Sequence, residues 1–223
     1  SVRIFFPALM AAAFMCTPYV WSEQPAAEAL AQRAFPAQGQ WEFTFKPDRT
    51  FISYFLKGNV HDTLGYVRKM QGKASATITP DGRLTAAAVQ FSFAADTMDS
   101  NDKARDERMK KKFMDISIYP DITYRSTSAG AGLDTAGPVA KATKERPLAF
   151  DLEGMLTIHG TTRAITIPVT VYPENNLLIT EGTTILQLKD YNIKNPSFLI
   201  FRTDDHVKID FHIELQPVNG IKP

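Results

Sequence analysis

Apolar and polar residues alternate along most of this chain, and the alternation is cleanest near its C-terminus. Over residues 206–215, Val207, Ile209, Phe211, Ile213 and Leu215 share one parity while Lys208, Asp210, His212 and Glu214 share the other. That is the period of a half-buried strand. It predicts that Phe211→Asp unfolds the protein and that His212→Asp, on the opposite face, is tolerated. The same period marks residues 41–45, residues 84–95 with Val89, Phe91 and Phe93 on one face, and residues 163–172 with Ile165, Ile167, Val169 and Val171 on one side. Looser strand patterns cover residues 50–57, 70–79, 122–127, 148–158 and 177–188. In residues 50–57 apolar side chains occupy both parities, so the two faces do not separate. Residues 58–65 read as a loop and residues 190–197 as irregular.

Turn signals separate these runs. Pro80-Asp81-Gly82 is the clearest, with Pro setting φ and Gly free to take the left-handed position. Pro47-Asp48-Arg49 and residues 159–162 are further turns. One stretch breaks the strand rhythm. Residues 102–113 contain no Gly or Pro, follow the cap-type residues Ser100 and Asn101, and end on Lys110, Lys111 and Lys112, where cations suit the helix dipole. Its apolar side, Ala104, Met109, Phe113 and Met114, is thin, so such a helix needs a surface to lie against. Eight or nine short strands with one helix predict an all-β fold, an extended antiparallel barrel of about eight strands with one short helix at residues 102–113.

The ends and one insertion depart from this pattern. Arg3 precedes an apolar run over residues 4–21 that is broken by Pro7, Thr17 and Pro18. The run is shorter than a membrane span needs and reads as a secretory signal peptide over residues 1–22, with a second small-residue site at Ala29-Leu30-Ala31. Cys16 lacks the small preceding residue that a lipoprotein processing site prefers. Residues 23–39, rich in Ala, Gln and Pro, read as a linker to a barrel domain over residues 40–217. Residues 129–147 have little to pack and read as a mobile loop insertion.

Composition removes several function classes. The 25 basic residues nearly balance the 24 acidic ones, which gives no electrostatic reason to expect a nucleic-acid partner. One cysteine allows no internal disulfide. No nucleophile elbow, phosphate-binding loop or dinucleotide fingerprint occurs. His206 and His212 share a strand face, but six residues of strand place them about 20 Å apart, too far for a common metal. Asp102, Asp106 and Asp115 read as caps or solvated charge, and the interleaved basic residues as a solvated helix face. No catalytic constellation, metal site or cofactor is expected. The sheet carries many of the fifteen phenylalanines and seven tyrosines. A barrel of this size is either filled by its own side chains or holds one small ligand, and periodicity does not choose.

Several segments resemble the YceI-like family. Trp41 with Ser53-Tyr54-Phe55, Gly65 and Gly72 resembles its opening. Residues 105–109, Phe113-Met114-Asp115 and Tyr119-Pro120-Asp121-Ile122 look like its helix and the corner after it, and residues 154–163 resemble its G-x-L-T-x-x-G-x-T hairpin. The resemblance spans about residues 40–216. It departs at residues 188–205, where Lys189-Asp190-Tyr191-Asn192 replaces an R-x-x-(F/Y)-G stretch and lacks its glycine. The resemblance implies a lipocalin-like barrel in an exported, periplasmic or secreted protein. It implies no cofactor beyond a bound polyisoprenoid, such as a quinone-type lipid or a polyprenyl phosphate, and with no paired acid, base or nucleophile in the sequence no catalysis is expected. The partner is then an isoprenoid or other long-chain amphiphile, with transient membrane contact and homodimerisation as further expectations. Candidate lumen residues are Phe43, Phe55, Phe91, Phe93, Ile167 and Phe211. Candidate mouth residues on the helix are Arg105, Arg108, Met109 and Phe113. The competing expectation is a self-filled barrel acting as a stress-related protein-interaction module.

Overall fold

A computed structural model describes residues 35–130, 132–133, 137–197 and 202–221; the expected signal peptide and most of the expected linker lie outside them. The described chain forms ten strand segments: β1 (Gly39–Phe45), β2 (Phe51–Gly58), β3 (Thr63–Val67), β4 (Gln71–Ile78), β5 (Leu84–Ala94), β6 (Asp121–Ala129), β7 (Leu148–Ile158), β8 (Thr161–Glu174), β9 (Leu177–Gln187) and β10 (Thr203–Ile221). Helix α1 (Lys103–Arg108) lies between β5 and β6.

The ten segments make a closed eight-stranded antiparallel barrel, because two pairs act as single broken strands. One edge of β10 pairs with β2 through its first half and with β1 through its second, while its other edge pairs with β9. On their far side β1 pairs with β4 and β2 with β3. From β4 onward each strand pairs with the next. Closure leaves the sheet no long free edge, which is how antiparallel sheets avoid edge-to-edge association. The break between β1 and β2 is the turn Pro47–Arg49. It is tied across to β10 by Lys46 N donating to Glu214 O at 2.9 Å and Glu214 N donating to Thr50 Oγ1 at 3.1 Å.

Residues 58–65, read as loop, contain the start of β3. Gly65 lies opposite Tyr54, and a Cβ at 65 would stand 2.1 Å from the Tyr54 ring. The glycine that suggests a loop in the sequence is in fact a strand position over which a ring from the next strand is packed. The short turns follow expectation: Gly82 takes φ +81, and His159 and Gly160 take φ 50 and 69 in the tight β7–β8 hairpin.

Meander order sends the β2–β3, β5–β6, β7–β8 and β9–β10 connections to one end of the barrel and the β4–β5, β6–β7 and β8–β9 connections to the opposite end. That opposite end is closed, which corrects two expectations. Described residues of the 129–147 insertion pack against the barrel: Leu133, Val139 and Ala142 belong to the core, Val139 at 1 % exposure. Val139 N donates to Gly82 O at 2.8 Å, and Pro138 bridges to Arg83. The last residues of the expected linker are also structural. Phe35 is buried edge-on against Trp41 and Phe43, with its amide donating to Asn176 Oδ1 at 3.1 Å. Composition misled in both places because a few isolated apolar residues among small ones can plug a barrel end, and no periodicity marks them.

On β10 the expected parity holds, with Val207, Ile213 and Leu215 buried. The outer face is less permissive than expected. His212 Nδ1 sits 2.8 Å from Glu181 Oε1, its Nε2 lies 3.7 Å from Glu214 Oε1, and its ring stacks on Phe51. Glu214 itself is buried.

Candidate functional site: an apolar cavity under a short helix

The interior is not filled by its own side chains. A cavity of about 900 Å³ runs through the barrel, lined almost wholly by apolar groups from every strand. This volume is near the upper end of the range usual for small-molecule pockets. Several strands contribute one parity: Ile52, Tyr54 and Leu56 from β2, Ile122 and Tyr124 from β6, Ile165, Ile167, Val169 and Val171 from β8, and Val207, Ile209 and Phe211 from β10.

Of the lumen candidates, Phe43, Phe91, Phe93, Ile167 and Phe211 line the cavity. Phe43, 1 % exposed, is wedged among Phe35 and Trp41. Phe91 is the hub of the aromatic wall, stacked near Phe93 at 6.5 Å and Tyr124 at 5.4 Å. Phe55 does not line the cavity and is corrected: Ile52, Tyr54 and Leu56, on the other parity, do. With apolar residues on both parities of β2, the pattern could not say which set turns inward. Tyr54 and Tyr124 were overlooked because a polar tip hides a residue that is apolar over most of its surface. Burial pushes the Tyr124 phenol up to about 12, and burial, then the nearby Asp106 charge, raises that of Tyr54. Both stay protonated over any ordinary pH.

The mouth is built on α1. Its N-cap is Asp102, not Ser100 or Asn101: Asp102 Oδ1 accepts the Arg105 amide at 3.0 Å. That donor is the main reason the Asp102 carboxyl sits below the usual carboxylate range. Past Arg108 the helix widens by one residue into a π-turn over Met109–Phe113, closed by Met114 N donating to Met109 O at 2.9 Å. Such turns recur at functional sites. The widening is compatible with half-buried Met109 and Phe113 and buried Met114 all lining the cavity.

Asp106, expected to be a cap or a solvated charge, is buried instead. It accepts the Ser100 amide at 3.1 Å and the Ser100 hydroxyl at 2.5 Å. Arg105 closes this knot, its Nε donating to Ser100 Oγ and its Nη2 to Ser100 O, each at 2.8 Å. Arg105 is therefore fixed at the cavity edge, while Arg108 is exposed there.

The connection after β9 supplies the other side of the mouth, and here the departure from the family pattern has a simple structural outcome. Asn192 takes φ 57, the left-handed conformation that asparagine tolerates best after glycine. Its side chain donates to Thr161 Oγ1 at 3.0 Å. With Arg163 Nε donating to Asp190 O at 2.9 Å, it ties this turn to the β7–β8 hairpin. Tyr191 and Ile193 are buried and line the cavity. Among the described residues, no group of three or more His, Cys, Asp or Glu could hold a metal ion.

A closed eight-stranded barrel around an apolar cavity, capped at one end by a helix, defines a lipocalin-like binding architecture. The chain belongs to the YceI-like domain family, which matches residues 43–215. In fold it is similar to Burkholderia cenocepacia BcnA, at 22 % identity and a TM-score of 0.60, covering 76 % of this chain and 98 % of that one. It is also similar to a polyisoprenoid-binding domain from Saccharophagus degradans implicated in plant cell wall breakdown, at 14 % identity and a TM-score of 0.58, covering 78 % and 98 %. Among curated proteins none matches the chain.

Proposed function

We propose that this protein is an exported carrier or store for a polyisoprenoid or similar long-chain amphiphile, held in the barrel without catalysis. The observation that carries the reading is the cavity, about 900 Å³ and lined mostly by apolar groups. A prenyl chain offers no polar handle, and each CH₂ it buries contributes roughly 0.8 kcal/mol. An apolar tunnel therefore suffices for the tail, with polar recognition needed only at the mouth. Membership of the YceI-like family and the likeness to a polyisoprenoid-binding domain support the same reading. A self-filled interaction module fits less well, since packed cores leave few voids larger than a water molecule. The apolar run over residues 4–21 supports export to the periplasm or beyond. N-terminal sequencing of protein made in a secreting cell should find a start after Ser22 or near Ala31.

Mass spectrometry of an organic extract of the purified protein should find a bound lipid. A fluorescent prenyl probe should bind the wild type and bind the folded Phe91→Glu variant far more weakly, because the charge enters the aromatic wall. A lipid-free extract together with no probe binding by the wild type would sink the carrier reading.

A further inference from the structure

The roof of the cavity is fastened at one residue. Residues 102–114, which are α1 and its π-turn, place Met109, Phe113 and Met114 on the cavity and leave Lys103, Glu107 and Lys111 exposed. The chain is clamped to the barrel on either side of this segment. Asp99 exchanges two backbone hydrogen bonds with Tyr66 of β3, at 2.7 and 3.0 Å, and Ala95 N donates to Pro120 O at 2.7 Å. Tyr119 lies edge-on to His159 of the β7–β8 hairpin, with 4.5 Å between ring centroids. Between these clamps and the segment stand two left-handed corners, Asn101 at φ 60 and Asp115 at φ 42. Left-handed backbone is unfavourable for any residue but glycine, and Asn and Asp bear it best. A residue held there loses its strain when φ changes, which suits it to a hinge. Among the described residues, every side-chain hydrogen bond from this segment to the rest of the protein ends on Ser100. Asp106 accepts its amide and its hydroxyl, while Arg105 donates to its Oγ and its carbonyl oxygen. These bonds span Asn101, so that corner cannot turn while they hold. Ser100 and Asp106 are both buried, and a polar network sealed from water is either complete or costly. The segment therefore has two positions rather than a range.

We infer that residues 102–114 form a lid that swings as one piece about Asn101 and Asp115, and that Ser100, clasped by Asp106 and Arg105, is its latch. The opposite end is packed with Phe35 and the core residues of the 129–147 insertion, and the wall is a continuous hydrogen-bonded sheet. A swing lifts Met109 and Phe113 off the cavity and opens its apolar wall. The bonds inside the segment, Asp106 N to Asp102 O and Met114 N to Met109 O, travel with it. Closing returns that apolar surface to the interior and shuts out water. The lid gives the carrier reading above a way in and out, and rests on that reading only for what passes through.

Two measurements on the full chain at pH 7 test this. One is amide exchange of the ligand-free protein; the other is stopped-flow binding and release of retinol, a fluorescent isoprenoid alcohol. Both are repeated on Ser100→Ala, which keeps the amide of residue 100 but removes the hydroxyl at the centre of the latch. Both are also repeated on Glu107→Gln, which breaks the outer ion pair with Lys111 and leaves the latch alone. In the wild type the Ser100 amide should exchange at least about tenfold faster than the strand amides, while Asp106 and Met114, bonded inside the lid, exchange more slowly than Ser100. Ser100→Ala should quicken exchange at residue 100, retinol association and retinol release each by about tenfold. The retinol Kd should stay within about twofold, because the latch is remade once the ligand is in. Glu107→Gln should change neither rate beyond about twofold. Ser100 exchanging as slowly as the strands overturns the lid, and so does exchange of Asp106 and Met114 in step with it, which marks local unfolding instead of a swing. Unchanged rates in Ser100→Ala, or equal effects of the two variants, also overturn it. Faster release with unchanged association does the same, since that is a lost ligand contact. If retinol fails to bind the wild type, the carrier reading falls, and exchange at Ser100 alone decides the lid.

Discussion

Phe211 on β10 lies directly opposite Gly182 on β9, and its ring occupies the space that a side chain at 182 would need. A Cβ there would stand 2.4 Å from Phe211 Cζ and 2.6 Å from the backbone oxygen of Pro168. The glycine thus lets a cavity-lining ring lie against the wall. Similar pairs recur at Gly154 under Tyr124 and Gly72 under Phe45. Gly182→Ala should cost about 1–3 kcal/mol, as overpacking usually does, and should narrow the cavity by pushing the ring inward. That corresponds to roughly 2–12 °C in melting temperature for a chain of this size. An unchanged melting temperature with unchanged probe binding would show that the wall gives way freely.

Val139 tests whether the 129–147 insertion is structural. At 1 % exposure beside the β4–β5 turn, it closes the barrel end opposite the mouth. Val139→Asp should cost several kcal/mol for an unpaired buried charge. Lys144→Asp, an exposed position in the same insertion, should cost less than about 0.5 kcal/mol. Equal melting temperatures for the two variants would return the insertion to the status of a loose loop.

His212 reverses an expectation drawn from alternation alone. It stands between Glu181 and the buried Glu214, so His212→Asp places a third carboxylate beside two others. The variant should lose more stability than His212→Gln, which keeps a neutral polar side chain. Raising salt should recover little of the loss, because Glu214 is shielded from solvent. Denaturant unfolding of both variants checks this, and an Asp variant as stable as the Gln variant would contradict it.

The cap of α1 carries a pH dependence. Asp102 is depressed chiefly by the Arg105 amide it accepts, so its ionised form is favoured in the folded helix. The stabilisation is fully present above the unfolded carboxylate value near 3.9 and is lost as pH falls through the lower folded value. Amide exchange in residues 105–109 should therefore quicken relative to the barrel strands as pH drops below about 4, after correction for intrinsic rates. Asp102→Asn, which keeps a capping oxygen but does not titrate, should abolish that change. Persistence of the change in the Asn variant would assign it to another group.

Much of this protein was determined by local pattern. The alternation on residues 206–215 gives β10 its inward face, Pro80-Asp81-Gly82 turns where a left-handed glycine is needed, and the helical stretch at 102–113 appears as α1 and its widened turn. Each depends on forces acting within a few residues, which periodicity and turn chemistry report directly. Tertiary structure decided the rest. Phe55 or Tyr54 could have faced inward, because apolar residues on both parities leave the choice to how β2 pairs with β3 and β10. Asp106 became buried because Ser100 and Arg105 come round to meet it. Whether the interior is filled or hollow was never in the pattern at all. Period two fixes which side chains share a face, while the space between opposite walls follows from strand number, stagger and closure, and those exist only once β10 has met β1 and β2.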